Sequence, residues 1–258
     1  MSDDVLVVIP ARYASSRLPG KLLADVGGQP LIVRTLERAR GMTEAHDVLV
    51  AADDRRIRDA VEAAGYPCVL TGDHATGTDR IGEVLKRRDP AIVVNLQGDE
   101  PLLDPAAADA MVRALREHPD SDAATCAHAF GPGDDWADPN VVKVLVDQSG
   151  RALYFSRAPI PGVFPGGRAD PRQAALRHVG IYGWRTASLR RFLKEPRGRL
   201  EQVEGLEQLR ALELGQVMRV VVIEGGAVGV DTQADLDRVR ALWRHRTGPQ
   251  AGPQGRKG

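Results

Sequence analysis

The sequence predicts an α/β protein with a doubly wound, mostly parallel but mixed sheet. Three observations predict it: continuous β-branched runs that suit strands covered on both faces, helical periodicity between several of them, and a hairpin signal in mid-chain. The 258 residues are 43% hydrophobic, enough to enclose one substantial core, so a single domain over 1–246 is expected.

The first run is Val5 to Ile9, and similar ones recur as "VLVAA" (48–52), "AIVVNL" (91–96), "VVKVLV" (141–146) and "RVVVIE" (219–224). Pro30 suits a first helical turn and Gly41 a stop. Ile57, Ala60, Val61 and Ala64 have the spacing of one helical face, with Gly65 where a C-terminal cap belongs. A further helix starts near Pro105, with Asp104 as its N-cap. This alternation through residue 118 calls for right-handed crossovers between parallel strands. In "VVKVLVDQSGRALYFSRAPIP" two strands instead meet around Ser149-Gly150, so an antiparallel excursion over about 140–184 interrupts the winding. Helical patterns return near 186–195, 204–214 and 233–245. Residues 161–172 are rich in Gly and Pro and read as a surface loop, and the tail 247–258 has nothing apolar to bury, so disorder is expected there.

Thirty-five basic residues balance thirty-five acidic ones, which leaves no global field to hold nucleic acid or an anionic membrane. Cys68 and Cys126 are far apart and lack metal-type spacing, which argues against a disulfide framework or a zinc site. The first apolar run stops at Pro10 behind an acidic N-terminus, too short for a signal peptide or membrane span. A cytoplasmic protein with reduced thiols is expected.

Directly after the first strand, the small-residue stretch Pro10 to Lys21 carries Arg12, Arg17 and Lys21. In open α/β sheets ligands bind beyond the carboxyl ends of strands, and small residues let backbone N–H groups approach a phosphate that the cations neutralise. A P-loop is excluded, because Ser15 and Leu22 stand where it needs Gly and Ser or Thr; no stretch satisfies the dinucleotide-binding glycine pattern either. A solvated basic loop accounts for the same charges. "AIVVNL" runs into Gln97-Gly98-Asp99-Glu100, a strand-end carboxylate suited to holding Mg²⁺ against a nucleotide, or else an acidic turn before the next helix. In "GVDT", Asp231 is a candidate second carboxylate for that ion, while Asp231 or Thr232 also suits as cap of the last helix.

These pieces together resemble the sugar-acid cytidylyltransferases that make CMP-KDO, where KDO is 3-deoxy-manno-octulosonate. The resemblance runs in order from residue 9 to 232 through "IPARYASSRLPGK", "GTDR", "NLQGDEP", "DPNVVKV", "ALYFSRAPIP", "RHVGIYGWR", "LEQLR" and "GVDT". It implies a fold of the nucleotide-diphospho-sugar transferase type and transfer of CMP from CTP to an eight-carbon acid sugar. It further implies that Arg12, Arg17 and Lys21 bind triphosphate, that Asp99 and Asp231 hold Mg²⁺, and that Ala11, Gln97 and Thr78 of "GTDR" meet cytosine and ribose. The acid sugar would lie against Arg80, Arg157, His178, Tyr182 and Gln208, and a homodimer is implied. His178 and Tyr182 also suit as core residues, and Arg157 as the partner of a nearby Asp. Three other readings remain open: CMP transfer to a sialic acid or amino-substituted octulosonate, a catalytically silent nucleotide-binding module, and, with less support, a glycosyltransferase using "DSD" at 120–122.

Overall fold

Strand β1 (Val5–Ala11) pairs in parallel with β2 (Asp47–Ala52) on one side and β4 (Ile92–Asn95) on the other. Val5, Val7 and Ile9 enter one core layer while Leu6 and Val8 enter the other, which is why the run shows no polar alternation. The computed structural model describes residues 4–15, 17–226 and 229–247, with side chains to Arg244; residues 248–258 of the expected disordered tail lie outside the described residues.

The first half of the winding follows the expected order. Helix α1 (Leu31–Ala39) starts directly after Pro30, and α2 (Arg55–Ala63) is capped by Asp54, whose carboxylate accepts from Arg56 N. Strand β3 (Cys68–Leu70) escapes any sequence pattern because three residues cannot establish a period. Helix α3 (Gly77–Val84) opens with a Thr76–Asp79 capping box, and α4 (Pro105–Glu117) has Asp104 as its N-cap, as expected.

Strands β5 (Ala123–Ala129), β6 (Lys143–Val146), β7 (Ala152–Ser156), β8 (Leu176–Arg185) and β9 (Met218–Val222) complete the sheet. The β6–β7 hairpin turns at Asp147–Arg151, where Asp147 Oδ1 accepts from Ser149 N and Arg151 N. Strand β8 then runs antiparallel between β4 and β5, giving the order β3-β2-β1-β4-β8-β5-β9, with β6 paired to β8 and β7. The excursion therefore returns into the sheet interior and joins its two parallel parts.

Four helices follow or flank the last strands: α5 (Thr186–Lys194), α6 (Arg199–Glu204), α7 (Gln208–Glu213) and α8 (Gln233–Thr247). The single helix expected over 204–214 is divided, because Gly205 adopts φ 62° and closes α6. Arg210 locks the pair with a two-pronged bond to Glu201, Nε to Oε2 at 2.7 Å and a terminal nitrogen to Oε1 at 2.8 Å. Among the described residues no helix is long and apolar enough to cross a membrane.

Both side chains of this ion pair are buried, so removing one partner strands a charge. Glu201→Ala is expected to lower unfolding free energy by about 3 kcal/mol in denaturant titration, and Glu201→Leu combined with Arg210→Met to regain most of it. Equal loss in both would show that the charges themselves stabilise the α6–α7 corner.

Candidate active site

Because β8 opposes both β4 and β5, and β9 runs parallel to β5, strands β1, β2, β4 and β9 all end at the same edge of the sheet. The segments after β1, β4 and β9 line a cleft of about 890 Å³ that includes Arg12, Arg17, Lys21, Gln97, Asp99 and Asp231. Topology thus brings Asp99 and Asp231 together across more than half of the chain. A backbone bond from Val230 N to Asp99 O at 2.9 Å fixes the two strand ends to each other.

Lys21 stands where they meet. Its ammonium donates to Asp99 Oδ2 at 2.5 Å, Val230 O at 2.8 Å and Asp231 Oδ1 at 3.1 Å, which matches its three donors. Burial pulls the Lys21 pKa down, but the two carboxylates outweigh it and the net shift is upward. Arg17 reaches Asp231 Oδ1 at 2.9 Å from solvent, a screened contact that holds position weakly. Arg12 donates to Ala75 O at 3.2 Å across the cleft.

The loop is shaped for close approach. Gly20 adopts φ 68° ahead of the short 3-10 turn Lys21–Leu23. A Cβ at Gly77 would meet Pro10 Cγ at 3.0 Å, so the start of α3 lies directly against the end of β1. Asp53, at the end of β2, accepts from Tyr13 N at 2.9 Å and donates its own N–H to Ala11 O at 3.2 Å. Arg56 stacks 3.4 Å from the centre of the Tyr13 ring. Sequence reasoning missed Asp53 and Tyr13, although a carboxylate directly after a β-branched run is the same signal that marked Asp99. Ser16 lies outside the described residues.

The carboxylates resolve cleanly between chemistry and capping. Thr232 forms the cap of α8, with its Oγ1 accepting from Asp235 N at 3.2 Å while Asp235 Oδ2 accepts from Thr232 N at 2.8 Å, so the Asp231 side chain is left to face the cleft. Asp104 caps α4, leaving Asp99 likewise at the cleft. Glu100 turns inward, where burial and then the Asp99 charge raise its pKa to about 8 and keep it protonated at neutral pH. Two carboxylates therefore face the cleft. No group of three or more His, Cys, Asp or Glu able to hold a metal occurs among the described residues. A donor set of two carboxylates suits a hard divalent cation that takes its remaining ligands from water and substrate phosphate.

A second cavity of about 280 Å³ is lined by Asn140 to Val142, Arg177, His178, Gly180, Tyr182, Leu206 and Gln208. His178, Gly180 and Tyr182 are alternate residues of β8, and the two rings lie 5.6 Å apart. Gln97 of the large cleft donates to Gly180 O at 3.3 Å, so the cavities adjoin. A ring nitrogen of His178 lies 2.9 Å from Thr125 Oγ1, and burial pushes its pKa down to about 3. Burial likewise raises the Tyr182 phenol, which stays protonated and can donate.

Three residues stand elsewhere in this structure than the resemblance implied. Arg80 lines the large cleft instead of the second cavity; it is 2% exposed and bonded to Gly72 O at 3.2 Å, Asp53 Oδ2 at 3.3 Å and the Thr71 hydroxyl. Gly77 and Arg80 share a face of α3, and Thr78 lies about 100° round that helix. The Thr78 hydroxyl accordingly turns from the cleft to Glu207 Oε2 at 2.8 Å. Arg157 has no open fork toward the second cavity: Nε donates to Glu204 O at 2.8 Å and a terminal nitrogen to Pro139 O at 2.9 Å. The end of α6 exposes carbonyls that lack helical partners, and one of them captures this guanidinium. Glu207, which also accepts from Thr76 Oγ1 at 3.2 Å, went unrecognised although it stands within "LEQLR".

A profile described as cytidylyltransferase matches residues 6–219. A 3-deoxy-manno-octulosonate cytidylyltransferase from Anaeromyxobacter sp. (strain Fw109-5) is 48% identical over 240 residues, covering 92% of this chain and 96% of that protein. A solved CMP:2-keto-3-deoxy-manno-octonic acid synthetase complexed with CTP superposes with a TM-score of 0.88 at 41% identity, over 94% of this chain and 99% of that one. A cytidylyltransferase from Leptospira borgpetersenii serovar Hardjo-bovis shares the fold, with a TM-score of 0.65 at 16% identity over 95% of this chain and 88% of its own.

The half-buried His178 gives a testable pH dependence. Its folded pKa of about 3 lies below the ordinary 6.5, so the unfolded chain binds the extra proton between these values. His178 therefore removes stability as pH falls from about 6.5 toward 3, and its contribution is level above that window. Denaturant midpoints for the wild type and His178→Gln should converge with falling pH, and a constant offset would show that the ring titrates normally.

Proposed function

We infer, from the premise that this chain belongs to the cytidylyltransferase family, that it transfers CMP from CTP to the anomeric hydroxyl of KDO, giving CMP-KDO and pyrophosphate. This activates the sugar for lipopolysaccharide synthesis. The observation that carries the reading is the meeting of Asp99 and Asp231 at Lys21, inside a cleft whose first loop presents Arg12 and Arg17.

In the reaction the anomeric oxygen bonds to the α-phosphorus, the bond from that phosphorus to the bridging oxygen breaks, and the sugar hydroxyl proton passes to solvent. The protein forms no covalent bond. Its work is alignment and charge stabilisation. Arg12, Arg17 and Lys21 meet the triphosphate and stabilise the negative charge that gathers on departing pyrophosphate. Backbone groups around Ala11 and the Gln97 amide, which line the cleft, would recognise cytosine and ribose, while Arg80 stiffens the cleft wall. Asp99 and Asp231 would hold Mg²⁺, which when bound supplies Lewis acidity at the α-phosphate and eases deprotonation of the attacking hydroxyl.

His178, Tyr182 and Gln208 would meet the hydroxyls of the acid sugar in the second cavity. The bond between Gln97 and Gly180 sets that cavity beside the nucleotide cleft, as transfer between two small substrates requires. A homodimer is part of this proposal: the β6–β7 hairpin leaves Leu153 59% exposed, and β9 leaves Val222 62% exposed. A cytoplasmic location suits its two free thiols, of which Cys126 is buried.

Purified chain supplied with CTP, KDO and Mg²⁺ should release one pyrophosphate per CMP-KDO formed. Asp99→Asn and Asp231→Asn should each lower kcat about 100-fold while CTP still binds, and Lys21→Ala should lose a comparable amount of transition-state stabilisation. Full turnover in either Asn variant at saturating Mg²⁺ would overturn the metal assignment. Sedimentation at a single-chain mass under assay conditions would overturn the dimer.

A further inference from the structure

Lys143 opens β6 and is 0% exposed. A buried lysine is costly, and an apolar side chain would serve a strand start facing the core at less expense. Its three N–H donors find three backbone carbonyls: Asp138 O at 3.0 Å, Val141 O at 2.7 Å and Arg157 O at 2.7 Å. An ammonium can gather three carbonyl dipoles at one point, which no apolar group can do.

The carbonyls come from two separate stretches. Asp138 and Val141 belong to the segment between β5 and β6, which has no helix or strand of its own. That segment supplies Asn140 to Val142, one wall of the second cavity, facing Leu206 and Gln208. The third carbonyl follows directly after β7. Two further bonds pin the same segment, from the Arg157 guanidinium to Pro139 O at 2.9 Å and from His178 N to Val142 O at 2.9 Å. Lys143 thus lies at the back of the wall and joins it to the neighbouring strand.

We propose that Lys143 is a positioning residue for the acid sugar, an internal cation that sets the distance between the Asn140–Val142 wall and Gln208 by drawing Asp138 O, Val141 O and Arg157 O together. The proposal rests on the reading of the second cavity as the sugar subsite. Lys143 does not touch that cavity and acts through the backbone it holds.

The test measures KM for KDO and for CTP separately in the full-length wild type, Lys143→Met and Lys143→Ala, with thermal midpoints alongside. Losing the three bonds from Lys143 should raise the KM for KDO about tenfold while the KM for CTP stays at the wild-type value. The Ala variant lacks three carbons and one nitrogen, the size of propylammonium, so that ion should restore its KM for KDO and leave Lys143→Met unchanged. A merely structural role would move both KM values together and would not respond to propylammonium. An unchanged KM for KDO in a folded Met variant overturns the proposal, as does an equal rise for both substrates. If Lys143→Met fails to fold, the Ala variant decides: restoration by propylammonium supports the proposal and its absence overturns it. A wild type that releases no pyrophosphate with KDO overturns the functional reading and this proposal with it, whereas normal wild-type turnover with unaffected variants overturns Lys143 alone.

Discussion

One ammonium with three acceptors organises this site. Two carboxylates facing each other in a half-buried cleft would repel, and Lys21 offsets that repulsion by bonding to both while also binding the carbonyl of Val230. The loop after β1, the end of β4 and the segment after β9 are thereby held as one unit before any substrate arrives. Under the proposed function the same arrangement constrains the chemistry: a nucleotide entering with a divalent cation would offer the carboxylates a stronger partner and the ammonium a phosphate. The resting contacts are of the kind that binding exchanges, so the cleft is pre-shaped without being closed.

The fold was legible where a pattern had room to repeat. Val5 to Ile9 and Val93, Val94 are apolar without alternation because both faces of their strands are covered, and that feature alone argues for parallel winding. The three residues of β3 are too few for any pattern, and the division of α6 from α7 depended on one glycine adopting a left-handed conformation that composition does not announce. That β8 would end inside the sheet was likewise not readable, since alternation along a strand reports its faces and not its neighbours.

Among site residues, type and strand-end position made Lys21, Asp99 and Asp231 candidates, with a capping role left open for Asp231, and topology brings the three together because the ends of parallel strands share one edge. Side-chain direction was the part that sequence does not report. Thr78 and Arg80 stand two apart in "GTDR", and the helical twist sends one to Glu207 and the other to the cleft. Arg157 was expected to meet the sugar carboxylate or a nearby Asp, yet its guanidinium is taken by a carbonyl at the end of α6. Asp53 carried the same strand-end signal as Asp99 and was passed over, whereas Glu207 acts on a helix start, where a carboxylate in sequence is indistinguishable from an ordinary surface charge.

The place of β8 inside the sheet also bears on how the chain is made. Strands β1 to β4 can wind as they leave the ribosome, but the free edge of β4 finds its partner only once residue 185 has emerged. Until then a nascent chain presents an apolar, unpaired strand border of the sort that other chains adhere to. Assembly from the amino end is therefore exposed for the whole span of the β6–β7 hairpin and its following loop, and chaperone shelter matters most for translation intermediates that stop within it.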